Sequence, residues 1–292
     1  NKNKPFGNIA SEEHIATAKQ VGEEGIVLLK NQNNVLPIDI NKAKKIAVIG
    51  ENAIKIMTVG GGSSSLKAKY EILPLDGIKS RFGKQSEIKF ARGYVGDPGG
   101  EYNGVKSGQD LKESRSADEL LKEAVELAKS SDYVIFVGGL NKSEYQDNEG
   151  IDRKSYGLPY NQDNVISALA KANKNFAVVL VSGNAVAMPW IKDVPTVLQN
   201  WYLGSEAGNS LASILAGDAN PSGKLPFTFP VKLEDNSAHK LGEYPGNKEE
   251  LAAGKGKDQK NPINITYNEG IFVGYRWHDT QNIKPLFSFG HG

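Results

Sequence analysis

Tyr133-Val134-Ile135-Phe136-Val137-Gly138-Gly139 is an apolar run, rich in β-branched and aromatic residues, that ends on two glycines. Such a run reads as a strand buried on both faces, because a strand with one wet face would alternate polar and apolar residues. It follows directly on 117–129, where Ala117, Leu120, Leu121, Ala124, Leu127 and Ala128 fall on one helical face. The same pairing recurs along the chain. Lys45-Ile46-Ala47-Val48-Ile49-Gly50 is a second buried strand, Ile88 to Ala91 a third, and Phe176 to Val181 and Thr196 to Gln199 two more. Helices are expected at about 161–172 and 205–215, and another at 11–30, where Ser11 can cap, Glu12 and Glu13 suit the positive end, and Ile15, Ala18, Val21 and Gly22 recur at helical spacing. Ile26 to Leu29 either extends that first helix or forms a strand. Helices alternating with short apolar strands imply the α/β class, with a mainly parallel sheet covered by helices on both faces.

After Pro221 the character changes. Pro, Gly, Lys and Asn dominate from Asp235 to Asn264, which reads as a long solvated loop, and Ile271 to Arg276 reads as a returning edge strand. The expected organisation is one α/β-sandwich domain over residues 1–292, with its core at about 11–230 and a loop and C-terminal extension at 231–292. No internal repeat is visible.

Composition narrows the function classes. The 292 residues carry 35 basic and 34 acidic side chains. That balance argues against nucleic acid as partner, since phosphate binding needs a basic excess on one face. With no cysteine there is no disulfide framework and no thiolate chemistry, and the redox compartment cannot be read from it. The four histidines, His14, His239, His278 and His291, show no paired ligand spacing, so no metal site is expected. The most apolar stretch, Phe176 to Val181, is far short of the ~20 residues that span a bilayer. A soluble chain without membrane contact is expected, with a secreted or periplasmic location compatible and a cytoplasmic one left open. The start at Asn1, without methionine or an apolar leader, reads as a mature or trimmed product.

Gly217 to Lys224 resembles a phosphate loop in letters only. It has five residues between the glycines instead of four, an internal proline, and Leu225 where a hydroxyl belongs. It reads as a turn between helix and strand. In a doubly wound sheet, ligands bind beyond the carboxyl ends of the strands. That rule selects Gly50-Glu51-Asn52 with Gly60-Gly61-Gly62-Ser63-Ser64-Ser65 downstream, Gly139 to Pro159, and Ser182-Gly183-Asn184. The middle loop holds Glu144, Asp147, Glu149 and Asp152, four carboxylates in nine residues, followed by Arg153. Such a cluster is either a solvated surface or a site where one carboxylate donates a proton while its neighbours and Arg153 set its position and pKa.

Several segments resemble, in order, the C-terminal α/β-sandwich domain of glycoside hydrolase family 3, the family of β-glucosidases, β-xylosidases and related exo-acting enzymes. They are Glu24 to Asn31 with Val35-Leu36-Pro37; Ile46 to Gly50 with Asn52-Ala53; the glycine-serine loop; Glu149-Gly150-x-Asp152-Arg153; Leu158-Pro159-x-x-Gln162; Met188-Pro189-Trp190; Gly204 to Leu215; Gly217 to Pro226 with Thr228-Phe229-Pro230; Glu269 to Trp277; and Pro285 to Gly292. The resemblance implies flavodoxin-like layering and no cofactor. It also implies a preceding (β/α)8 barrel, absent from this chain, that supplies a nucleophilic aspartate. Ser131-Asp132-Tyr133 is a near match to the barrel's nucleophile motif, but it lies at the amino end of a strand, and Asp132 reads as a turn residue.

By the same resemblance Glu149 is the general acid/base of a retaining double displacement on a terminal β-linked sugar, with Glu144 and Asp147 as alternative acids. Ser63 and Ser64 belong to the loop that reaches substrate. Gly150 permits a tight turn, and Asp152 with Arg153 positions the loop. Approach to another carboxylate and partial burial by sugar are expected to raise the Glu149 pKa. The substrate class is a β-linked oligosaccharide or glucoside, with β-xylosidase-type specificity as an alternative. Two other readings stand beside it. One is a non-catalytic sugar-binding or interaction lobe, inactive as an isolated chain; the other is a nucleotide-binding module, resting on the doubly wound pattern alone.

Overall fold

The computed structural model describes residues 7–58, 62–64, 66–96, 101–102, 105–106, 108–150, 152–256 and 260–292. Gly60, Gly61 and Ser65 of the glycine-serine loop lie outside the described residues. In chain order the elements are α1 (Glu12–Gly25), β1 (Val27–Asn31), β2 (Lys45–Ile49), α2 (Pro74–Phe82), β3 (Glu87–Ala91), the short pair β4 (Glu101–Tyr102) and β5 (Val105–Lys106), α3 (Ala117–Lys129), β6 (Tyr133–Gly139), α4 (Gln162–Ala172), β7 (Phe176–Val181), β8 (Thr196–Gln199), α5 (Ala207–Ala216), α6 (Ser237–Lys240), α7 (Lys248–Ala252) and α8 (Tyr275–Thr280). Contacts divide the chain into two compact units, residues 1–184 with 188–223 and 292, and residues 185–187 with 224–291.

The first unit is built on a six-stranded sheet of order β1-β8-β7-β6-β2-β3. Every pair is parallel except β1 with β8. All residues of β6, β7 and β8 are buried, as continuous apolar runs require, whereas edge strand β3 alternates exposed and half-buried positions before the buried Ala91. Crossover connections carry the helices, with α1 and α2 packed on α5, and α3 packed on α4. Ile46, Val48, Ile135, Val137, Val179 and Leu198 from the sheet meet Ile78, Phe82, Leu211 and Ile214 from α2 and α5 in one core. α2 and α5 cross backbone to backbone: a Cβ on Gly77 would lie 2.0 Å from the Gly208 carbonyl oxygen.

Ser11 caps α1 by accepting from the His14 N–H, but the helix stops at Gly25. Ile26 is already extended, and Val27 and Leu29 bury in β1 instead of continuing a helical face. The strand alternative for 26–29 therefore holds. Asp132 is a turn residue as expected, its Oδ2 accepting from the Lys44 and Lys45 N–H groups at 2.9 and 2.8 Å.

Two features of the second unit differ from expectation. Ile271 to Arg276 is not a strand: Gly270 and Gly274 both take positive φ, which breaks an extended run, and the chain enters α8 at Tyr275. Residues 235–264 are not uniform loop, since a single 3-10 turn at Leu233–Asp235 and the helices α6 and α7 interrupt them. Asn247 caps α7 through two backbone N–H groups. The Gly217 segment ends α5 with an αL residue, and downstream the contact is an isolated antiparallel bridge, Phe229 with Phe287, instead of a strand.

Candidate active-site loops at the sheet switch point

Strand order reverses between β2 and β6, the switch point beyond whose carboxyl ends open α/β sheets bind their ligands. The two loops are joined at their roots. Gly50 passes so close to β6 that a Cβ on it would sit 2.1 Å from the Val137 carbonyl oxygen, and Asn52 Nδ2 donates to the Leu140 carbonyl at 2.9 Å. Glu51 is buried there between Arg92, at 2.6 Å, and Lys55, at 3.4 Å.

The loop after β2 is tied at its neck. Gln109 accepts from the Ile56 N–H at 2.7 Å and donates to the Ile54 carbonyl at 2.8 Å. The Glu71 carboxylate accepts from the Met57 N–H at 2.8 Å, the Thr58 N–H at 3.0 Å and the Thr58 hydroxyl at 2.5 Å. Tyr70 donates to Glu206 Oε1 at 2.6 Å, and that carboxylate pushes the phenol up to about 12. The described part of the tip is Gly62, Ser63 and Ser64, with both serines exposed.

The loop after β6 carries the acidic cluster and is folded on itself. The Asp147 N–H donates to the Asn141 carbonyl at 3.0 Å, Gln146 Oε1 accepts from the Asn141 N–H at 3.0 Å, and Asn148 Nδ2 donates to the Lys142 carbonyl at 3.1 Å. Gln146 also donates to the Tyr160 hydroxyl. Asp147 Oδ2 accepts from the Gly183 N–H at 2.6 Å and from the Tyr202 hydroxyl at 2.7 Å. Lys142 places its ammonium 3.7 Å from the centre of the Tyr202 ring. Burial lowers the Lys142 pKa, and the attraction of Asp147 opposes that shift. Arg153 likewise has its pKa lowered by burial against the pull of Asp147, and its guanidinium donates to the Ser155 and Tyr156 carbonyls.

The two loops meet at their tips. The Ser63 N–H donates to Glu149 Oε2. A Cβ on Gly62, whose φ is +106°, would lie 2.3 Å from the Glu149 Cβ, so only glycine fits at that contact. Hydrogen bonding from the Ser63 side chain, then from its N–H, holds the Glu149 carboxyl below the usual carboxylate range, against a smaller opposing effect of desolvation. That direction is opposite to the rise expected from sequence. The expected rise depends on a second carboxylate and on sugar, both outside this chain's own residues, whereas the chain's own neighbours of Glu149 are donors that favour its charged form.

Of the residues singled out beforehand, Ser63 and Glu149 are thus in contact, and Ser64 is exposed next to Ser63. Glu144 and Asp152 are exposed, and Asp147 is turned toward the loops leaving β7 and β8. Tyr202, Glu71 and Lys142 were not singled out. Their signals are weak, since each is an isolated polar or aromatic residue in a loop. Among the described residues no cluster of His, Asp or Glu could hold a metal ion, and no helix is long and apolar enough to cross a membrane.

The family model described as Glycosyl hydrolase family 3 C-terminal domain matches residues 26–275. The chain belongs to that family. This family 3 chain is 48% identical over 300 residues to the beta-glucosidase BoGH3A of Bacteroides ovatus, a match covering 100% of this chain and 37% of that protein. It is 37% identical over 279 residues to thermostable beta-glucosidase B of Acetivibrio thermocellus, covering 96% of this chain and 32% of that protein. The crystal structure of a GH3 beta-glucosidase from Bifidobacterium adolescentis superposes with a TM-score of 0.79 at 30% identity, over 99% of this family 3 chain and 37% of that one. The chain therefore spans about a third of the length of the curated relatives it matches.

Proposed function

We propose that this chain is the acid/base-bearing lobe of a retaining, exo-acting β-glucosidase, and that Glu149 is its proton donor and acceptor. One observation carries the reading. The glutamate of the Glu-Gly-x-Asp-Arg segment stands at the tip of the switch-point loop, exposed, and is met there by the glycine-serine loop. The names of the relatives favour glucose over xylose as the sugar released.

A retaining glycosidase needs two carboxyl groups about 5 to 5.5 Å apart. In the proposed reaction a barrel preceding this lobe supplies an aspartate that attacks the anomeric carbon, while protonated Glu149 gives its proton to the departing glycosidic oxygen. Glu149, now ionised, then takes a proton from water as that water displaces the aspartate from the anomeric carbon. The Ser63 donors favour the ionised form and so assist the second step. Approach of the barrel carboxylate raises the Glu149 pKa again and readies it for the first step.

In the full-length enzyme, Glu149→Ala is expected to lower kcat on poor leaving groups by about 10² to 10⁴-fold, the usual contribution of general acid–base catalysis. Azide should restore turnover on activated aryl glucosides, with glucosyl azide as the product. Unaltered kinetics would overturn the assignment. The isolated lobe, without the barrel aspartate, is expected to release no p-nitrophenol from an aryl β-glucoside.

A further inference from the structure

The loop that carries Glu149 leaves β6 at Gly139 and runs to α4 at Gln162 with no regular element among its described residues, yet a proton donor must be held within a fraction of an ångström of its working position. Ser63 touches Glu149 from the neighbouring loop, but a contact at the tip does not by itself hold the loop that bears the acid. Inside the acid loop, short-range bonds join Asn141 to Gln146 and Asp147, and Lys142 to Asn148. Asp147 reaches outward. Its Oδ2 accepts from the Gly183 N–H, just past the carboxyl end of β7, and from the Tyr202 hydroxyl, in the loop leaving β8. Both partners hang directly from the buried centre of the sheet, where β7 and β8 are wholly buried.

Two cations bracket the same carboxylate. Lys142 lies over the Tyr202 ring, and Arg153, fastened to the Ser155 and Tyr156 carbonyls, is attracted to Asp147 from the other side of Glu149 in sequence. Two residues of chain span at most about 7 Å, so a fixed Asp147 leaves the Glu149 backbone little room.

We infer that Asp147 is a positioning residue for Glu149, anchoring the acid loop to the β7 and β8 ends through the Gly183 N–H and the Tyr202 hydroxyl. This rests on the reading of Glu149 as the acid/base. It also removes Asp147 as an alternative acid: a carboxylate oxygen bound to two donors of the sheet's own loops is not free to swing to a glycosidic oxygen. Glu144 and Asp152 lie at the exposed surface of this loop.

The test is kinetic, on the full-length enzyme. Asp147→Ala is expected to lower kcat by about 10 to 10²-fold, the scale of a 1 Å misplacement, with KM changed less than about threefold. The basic limb of the pH profile should remain, because Glu149 still transfers the proton, and azide should not rescue. Asp147→Asn, whose amide oxygen can accept both bonds, should recover most of the rate. Tyr202→Phe should lose a smaller part of it, and in the Asp147→Ala background should add nothing further, as expected of two ends of one contact. If Asp147→Ala fails to fold, the Asn and Phe variants carry the test alone, with thermal unfolding followed in parallel.

A wild-type kcat in Asp147→Ala, an Asn variant as slow as a folded Ala variant, or additive losses with Tyr202→Phe would overturn the inference while leaving Glu149 as the acid. Azide rescue and a lost basic limb in Asp147→Ala, with Glu149→Ala unaffected, would overturn both.

Discussion

The two loops that meet at the switch point are held in opposite ways. The acid loop is tied along its length, by internal bonds that join Asn141 to Gln146 and Asp147 and Lys142 to Asn148, and by Asp147 reaching to the loops after β7 and β8. Among the described residues the glycine-serine loop is tied at its neck, where one carboxylate, Glu71, gathers three donors and Tyr70 and Gln109 brace either side. Its tip rests on Glu149. The difference teaches that Glu149 is located by its own loop and tuned by the other. Anchors along the acid loop set where the carboxyl is, and donors at the neighbouring tip set which protonation state is favoured.

Three substitutions test that division, in falling order of effect. Gly62→Ala places a Cβ within 2.3 Å of the Glu149 Cβ at a positive φ, so either the tip withdraws or Glu149 turns away. A loss in kcat of about tenfold or more is expected in the full-length enzyme, because an ångström of displacement is enough for that; normal kinetics would show that the tips do not pack in solution. Glu71→Ala removes the neck clamp. Three donors lose their acceptor, and about 1 to 2 kcal/mol of stability should go, read from denaturant unfolding of this chain. The kcat of the full-length enzyme should fall less than in Gly62→Ala, since the tip can still dock.

The smallest effect is electrostatic. Ser63 holds the Glu149 carboxyl below its ordinary range, so in Ser63→Ala the carboxyl should titrate at higher pH, observed by NMR on the isolated chain. The sign for stability follows. A depressed carboxyl contributes stability above its unfolded pKa and loses it as pH falls through the folded value. Ser63→Ala should therefore weaken the acid sensitivity of unfolding slightly. An unchanged Glu149 titration would remove the tuning role from the serine loop.

Much of the sheet was legible in the sequence because its central strands are buried on both faces and so read as unbroken apolar runs; β6 and β7 are recovered at the residues expected. α2 escaped notice although its signals are present, with Pro74 at the first helical position, Asp76 in the first turn, and Leu75, Ile78 and Phe82 buried at helical spacing. Ile271 to Arg276 misled for the opposite reason. Three apolar residues in a row resemble a strand, yet Ile271, Phe272 and Val273 are exposed between two glycines of positive φ. Local apolarity marks what can be buried, and only the surrounding packing decides whether it is.

The candidate site divides along the same line. Glu149, Asp152 and Arg153 could be named from a short segment because sequence order carries motif identity, and the rule that crevices form beyond strand ends selected three loops whose residues touch in the structure. The contact of Ser63 with Glu149 joins residues 86 apart in the chain, and that of Asp147 with Tyr202 joins residues 55 apart. Those pairs exist because β2 and β6 lie side by side and β7 and β8 follow in order, an arrangement set by strand pairing. By itself the sequence determined the layered α/β fold, its family and the identity of the candidate acid, since periodicity and motif are local properties. Which groups anchor that acid and which tune it was decided only by the tertiary structure, because hydrogen bonds and charge effects depend on distances that the linear chain does not contain.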